Sequence, residues 1–294
     1  MQHPVGYVVG DDGNFELESL SALLTNPWAL AEYAHTMVGA TITGSLVMAS
    51  IGAFYLLRDS SVAVARRFVS LAVVVGLVAS IAAAMPTGDI QAKLVYLHQP
   101  VTFVAMEGHF HTTDRAGLVI LGQPDMQAQR LDNPIELPGM LSFMTHGRWA
   151  GEVKGLSDFP TDEWPDNVPL LYYSYHIMAG LGTLFILVLA ISALQLVRGK
   201  LWQSRGILWV LLLSLPFPFI ANTAGWLTTE LGRQPWLIYG LFRTADGYSE
   251  QVTPGSVWFT LLGFMGMYAL LSVLYFFVTT RIIAAGPEPV GNAD

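Results

Sequence analysis

The chain has 294 residues, 53% of them hydrophobic and 12% charged, with a formal net charge of −8 and no cysteine. A soluble domain carries about 25% charged residues, so a large soluble all-α protein is disfavoured. The lack of thiols excludes disulfides, iron–sulfur clusters and thiolate haem ligands, and the acidic balance offers no electrostatic footprint for nucleic acid.

Residues 1–25 are acidic and polar and lack the basic n-region of a cleavable signal peptide. The expectation is that the first span directs insertion itself or that more protein lies upstream. Five stretches then run without Asp, Glu, Lys or Arg: 34–57, 68–86, 168–197, 206–229 and 256–280. Each reaches the roughly 20 residues that cross a hydrocarbon core. The fold class read from this pattern is an all-α polytopic membrane bundle of five transmembrane helices. Three segments follow: 1–86, an external N-terminal segment with helices one and two; 87–167, a long external loop; and 168–294, helices three to five.

The first span opens with "TNPWALAEYAHTMVGATITG". Asn26 is placed to cap the helix and Pro27 to fill its first position. His35 then lies about 12 Å into the helix at ~1.5 Å per residue. Gly39 and the small residues beyond it leave room for a flat group. An ionisable side chain at that depth is a functional hypothesis by default. On the residues alone, His35 is either a ligand or a histidine hydrogen-bonded to a neighbouring helix.

The link "RDSSVAVARR" holds Arg58, Arg66 and Arg67, the link after span three holds Arg198, Lys200 and Arg205, and Arg281 follows span five. Basic residues concentrated in short links mark the cytoplasmic side, which puts loop 87–167 outside. Within the loop, "AGLVILGQ" has strand character, "IELPGMLSFM" reads as a short helix, and 156–169, rich in Asp and Pro, reads as a surface linker. His109 and His111 of "HFH" would share a face if extended, but no third zinc ligand is obvious. His98 and His146 read as solvated or structural.

Span three starts "NVPLLYYSYHIMAGLGTLF", again with Asn167 and Pro169 at its head. Met178 lies about 13.5 Å past that proline, close to the depth of His35, because both helices enter from the same side. A low-spin haem takes two axial ligands facing each other, and a His/Met pair raises its potential. Most of the 11 methionines must nonetheless be packing residues. His176 points some 200° away from Met178 around the helix. It is therefore read as a hydrogen bond or charge near a haem propionate, not as a ligand to the same iron.

Span four carries Pro216 and Pro218, which should kink it, and ends in "GWLTTELGRQPW". Glu230 there is either a snorkelling end residue or a carboxylate with a task, such as ligating a ferric haem or carrying protons. Arg233 beside it would keep it ionised and could grip a propionate. Pro235 ends the helix, and Trp236 suits a membrane interface.

The stretches "MQHPVG", "HTMVGATITG", "GDIQAK", "QPVTFVAMEGHF", "YHIM" and "GRQPW" resemble, in order and spacing, subunit I of the cytochrome bd quinol oxidases. That resemblance implies His35 and Met178 as axial ligands of a low-spin haem b. Glu230 would serve a high-spin haem b, with Arg233, Gln234, Trp236 and His176 in the haem surroundings. Glu107 would be the loop carboxylate that acts in quinol binding or proton release, which makes it the implied catalytic residue. Thr102 departs from the lysine common in the family, and His176 from an arginine. The family also has four more spans upstream, including ligands of an oxygen-reducing haem d or third haem b. This chain is therefore expected to be a C-terminal portion or one half of a split subunit. Implied partners are quinol, an oxidase subunit II, small accessory subunits, the missing N-terminal half and the lipid bilayer of a bacterial or archaeal cell. Two rivals stand beside this reading: a haem electron-transfer subunit without oxidase activity, and a haem-free transporter or assembly subunit.

Overall fold

The computed structural model describes residues 2–11 and 13–287; Met1 of "MQHPVG" and the C-terminal residues of segment 168–294 lie outside them. A small hairpin, β1 (Tyr7–Val9) and β2 (Phe15–Leu17), leads through α1 (Leu20–Leu24) into α2 (Pro27–Leu57). Then come α3 (Val62–Ala82), a wide turn over Ala83–Gly88, α4 (Asp89–His98) and α5 (Pro100–Glu107). The hairpin β3 (Leu118–Asp125) and β4 (Arg130–Leu137) precedes α6 (Met140–His146) and α7 (Val168–Val197). The chain continues with α8 (Arg205–Leu213), α9 (Phe217–Arg233), the hairpin β5 (Trp236–Ile238) and β6 (Phe242–Arg243), and α10 (Pro254–Ala285).

Five helical stretches are long and apolar enough to cross a membrane: Leu20–Leu57, Val62–His98, Val168–Val197, Arg205–Arg233 and Pro254–Ala285. The molecule is a multi-pass membrane protein. Local chemistry sets the helix starts. Asn26 Oδ1 accepts from Trp28 N at 3.0 Å, with Pro27 at the first helical position, and Asn167 Oδ1 accepts from Leu170 N at 3.0 Å. Such caps satisfy backbone donors that a helix cannot satisfy itself. The expected break in span four falls between α8 and α9, at Ser214–Pro216, because proline removes a helical donor and clashes one turn back.

Two boundaries differ from expectation. Helix α3 begins at Val62, so Arg66 and Arg67 lie on the helix and not in a loop. Their long stems allow this, and Arg66 rests 5.4 Å above the Trp202 ring. The segment "IELPGMLSFM" divides: Ile135–Leu137 completes β4, and Gly139 (φ 73°) turns the chain into α6.

The bundle packs on small residues. Ala49, Ala53, Ala65, Ala72, Val69 and Val73 are completely or almost completely buried where α2 meets α3. Small side chains let membrane helices approach closely, so contact replaces the hydrophobic drive that lipid does not provide. Gly52 marks the tightest point: an added Cβ would stand 2.7 Å from Val69 Cγ2 and 3.0 Å from the Ala65 carbonyl. Gly52→Val is expected to cost about 1–3 kcal/mol through overpacking, read as a lowered thermal midpoint in detergent.

A second core sits at the end of the bundle where the long loop folds back, the loop end. Residues 101–107 of α5 are buried there, together with Leu141, Leu156 and Leu171. The segment 87–167 is thus a folded cap that opens with two helices, α4 and α5, more than a surface loop. Gly108 ends α5 with φ 68°, and an added Cβ would meet the Tyr172 ring at 2.9 Å, so only glycine fits. At the opposite, basic end, Tyr55 donates to the Ile283 carbonyl of α10 at 2.8 Å. No residue of α10 is buried among the described residues.

Candidate functional site at the loop end of the bundle

Two clusters of polar groups and one cleft occupy the loop end. The first cluster involves α2, α7 and α9. His35 on α2 is half-buried, and its Nδ1 lies 3.0 Å from Thr87 Oγ1 in the turn after α3. Among the described residues no hydrogen bond engages its Nε2. On α9, Asn222 meets Gly39 and donates to Thr43 Oγ1 at 2.8 Å. One turn further along α9, Gly225 meets Met178 of α7, where an added Cβ would stand 2.7 Å from Sδ.

These contacts fix relative heights. Helices α2 and α9 run antiparallel, so Met178 stands about level with residue 38 of α2, and His35 is within roughly 5 Å of that height at ~1.5 Å per residue. A thioether and an imidazole with one uncommitted nitrogen are donor types that can ligate haem iron.

The second cluster closes α9. Glu230 Oε2 pairs with Arg233 Nη2 at 2.6 Å. Arg233 is 8% exposed, and its Nη1 also donates to the carbonyls of Trp236 (2.9 Å) and Leu237 (3.2 Å). Gln234 Oε1 accepts from Thr244 Oγ1 at 2.8 Å. Trp236 lies beneath the Arg243 guanidinium at 5.0 Å. The arginine therefore clamps the β5–β6 hairpin onto the helix end while it holds the carboxylate, and the hairpin was not foreseen. Glu230 is five residues beyond Gly225, which turns it about 140° around α9 from the face that meets Met178. The two clusters therefore lie on different faces of α9.

His176 lies two residues before Met178 on α7 and meets the β3–β4 hairpin. Its Nδ1 lies 2.9 Å from the Tyr172 carbonyl and its Nε2 3.1 Å from the Val119 carbonyl of β3. Its ring also stacks on Tyr172, 3.9 Å between centroids. In this position it fastens the β3–β4 hairpin to α7. His109 Nε2 faces the Val153 carbonyl at 3.2 Å, and His111 Nδ1 lies 3.5 Å from Ser157 Oγ. His98 stacks on His3, 4.1 Å between centroids, and His146 packs edge-on to Tyr96.

The cleft lies between α4, α5 and α6. It is lined by Lys93, Tyr96, Phe103, Glu107, Leu141 and Met144 among others. Glu107 is 2% exposed, and its Oε2 has no hydrogen-bond partner among the described residues. The hydroxyl of Tyr175 from α7 donates to the same carboxyl. Burial pushes the Glu107 carboxyl up to about 7, and the Tyr175 hydrogen bond pulls it back only in part. Desolvation penalises the charged form of an acid in this way. Thr102 does not enter the cleft; its hydroxyl donates to the Gly232 carbonyl of α9 at 2.6 Å. Lys93 stands at the cleft mouth instead, paired with Asp89 at 2.7 Å.

Sequence reasoning missed Tyr175, Thr87, Lys93 and the strap formed by residues 2 and 3. Gln2 donates to the Thr229 carbonyl at 3.1 Å and accepts from Gln99 Nε2 at 2.9 Å, which ties α9 to the head of α5. Only the position of Gln99, directly before Pro100 in a stretch already singled out, hinted at that junction.

Comparison with known proteins places these features in a family. The family model described as cytochrome bd terminal oxidase subunit I matches residues 1–287. The chain is 34% identical over 304 residues to cytochrome bd ubiquinol oxidase subunit 1 of Bacillus subtilis, covering 100% of this chain and 64% of that protein. It is 27% identical to cytochrome bd-II ubiquinol oxidase subunit 1 of Escherichia coli, covering 98% and 68%. Its fold is similar to that in the structure of bd oxidase from Geobacillus thermodenitrificans, with a TM-score of 0.87 at 27% identity over 97% of this chain and 65% of that one. The chain thus spans about two thirds of the length of the relatives it matches, and it belongs to the cytochrome bd terminal oxidase subunit I family.

Proposed function

We propose that this chain is the quinol-oxidising, haem-carrying portion of a bd-type quinol:oxygen oxidoreductase. One observation carries the reading: the buried carboxyl of Glu107, whose Oε2 has no hydrogen-bond partner among the described residues, lines a cleft beside Tyr96 and Phe103. Tyr175 joins that carboxyl to α7, the helix that bears Met178, one turn away. A quinol hydroxyl brought to this cleft would meet the Glu107 carboxyl beside Tyr96 and Phe103. The carboxylate accepts the hydroxyl proton as general base, a task suited to a group that titrates near neutral pH. Lys93 at the mouth takes the cationic contact that Thr102 cannot make.

His35 and Met178 would hold the low-spin haem b, and Glu230, braced by Arg233, Gln234 and Trp236, would face the high-spin haem b. Bound haem supplies a one-electron acceptor for the oxidation, with a haem d or third haem b required where oxygen is reduced. The cleft lies on the external side, away from the basic links. Subunit II, small accessory subunits and the N-terminal spans of subunit I would complete the assembly in the membrane.

The test is quinol-dependent oxygen uptake by the complex purified from its native membrane with this chain present. Uptake with a low-spin haem spectrum is expected. A haem spectrum without uptake would favour a non-oxidase electron-transfer subunit, and a chain free of haem would favour a transporter or assembly role.

A further inference from the structure

Helix α3 does not run straight into α4. Met85 is extended (φ −144°, ψ 120°), and Pro86 follows it within the turn Ala83–Gly88. The turn leans on α2: a Cβ added to Gly88 would meet the Ala83 carbonyl at 2.4 Å and His35 Cε1 at 3.7 Å. It also delivers one side chain to the His35 ring. Thr87 Oγ1 donates to the Ala82 carbonyl at 2.8 Å and lies 3.0 Å from His35 Nδ1.

A hydroxyl has one proton and two lone pairs. With its proton on the Ala82 carbonyl, Thr87 meets His35 as an acceptor, so Nδ1 carries the ring proton. In a neutral imidazole the other nitrogen, Nε2, then holds a bare lone pair. We propose that Thr87 is a positioning residue that fixes His35 in the Nδ1-protonated tautomer and leaves Nε2 free to bind iron. The inference rests on His35 being a haem ligand. It adds an account of why the ring presents the correct nitrogen and a fixed plane: the wide turn after α3 exists at this point to bring an acceptor to Nδ1. An acceptor on the outer N–H also raises ligand basicity, which stabilises the ferric state.

The test uses the complex isolated from its native membrane, with Thr87→Val, which keeps the shape without the hydroxyl, and Thr87→Ser, which restores it. Two readouts are taken: transfer of the low-spin haem to apomyoglobin and its midpoint potential. Loss of such an outer partner weakens a metal site by about 10–100-fold. Thr87→Val is therefore expected to weaken haem retention by about that factor and to move the potential upward, while Thr87→Ser stays at wild type. The proposal is overturned if valine matches wild type in both readouts, or if serine behaves like valine. Should valine disturb the turn, Thr87→Ala is read against serine in the same way. Failure of both to assemble while serine assembles would assign the hydroxyl to the turn alone and also overturn the proposal. His35→Ala separates the two ideas: if it keeps the low-spin haem, the ligand reading fails, whereas if it loses the haem while Thr87→Val is unchanged, only the role of Thr87 fails.

Discussion

His35→Ala or Met178→Leu is expected to abolish the low-spin haem spectrum while the chain still inserts and assembles. The leucine change conserves volume, and such swaps in a packed interior cost under about 1.5 kcal/mol, so Gly225 still meets an apolar side chain. The alanine change removes one hydrogen bond to Thr87 and leaves the small-residue packing of Ala49, Ala53 and Gly52 untouched, because that contact lies further along α2 toward the basic end. Neither variant threatens the fold, so the loss reports on ligation. Difference spectra of membranes expressing each variant are the measurement. An unchanged low-spin signal in both would remove the assignment.

The second large effect concerns Glu107. Glu107→Gln keeps size and polarity but removes the proton acceptor, and loss of a general base costs about 10²–10⁴-fold in rate. Quinol oxidation is expected to fall within that range with haem content unchanged, because the amide keeps the size of the carboxyl and Glu107 lies on α5, not among the residues assigned to the haems. In the wild type the carboxyl must be ionised to accept a proton, so the rate should rise with pH through about 7. The variant should lack that rise. Tyr175→Phe removes the hydrogen bond that favours the ionised form, and the rise should move to higher pH.

The same group makes stability depend on pH, and the sign follows from burial. Between about 4.5 and about 7 the folded chain still holds a proton that the unfolded chain has released. Stability therefore falls as pH climbs through that window and levels off above it. Thermal midpoints of the wild type should show this slope, and those of Glu107→Gln should not.

How much of this was legible in the sequence depends on how local each cause is. Asn26 with Pro27, and Asn167 with Pro169, act within one helical turn, so the heads of α2 and α7 could be placed without a structure. Pro216 and Pro218 break span four for an equally local reason. The heights of His35 and Met178 followed from counting residues along two helices of known direction. The burial of α5 was not legible, because its apolar run reads the same whether it faces lipid, water or a cap folded back from residues 140–171. The place of His176 was hidden too, since its Nε2 partner is the Val119 carbonyl of a hairpin far along the chain. Arg233 showed its tie to Glu230 in the sequence through a spacing of three, but its second task needed the β5–β6 hairpin. Tyr175 and Thr87 left no signal, because a tyrosine among tyrosines and a threonine before glycine carry no spacing that names a partner.

The central claim is that an imidazole from α2 and a thioether from α7 hold one iron between them. An experimental density map of the intact complex tests it most directly. The account requires a porphyrin iron within bonding distance of both His35 Nε2 and Met178 Sδ. An iron bound through other side chains, with these two on opposite sides of intact protein packing, would contradict it.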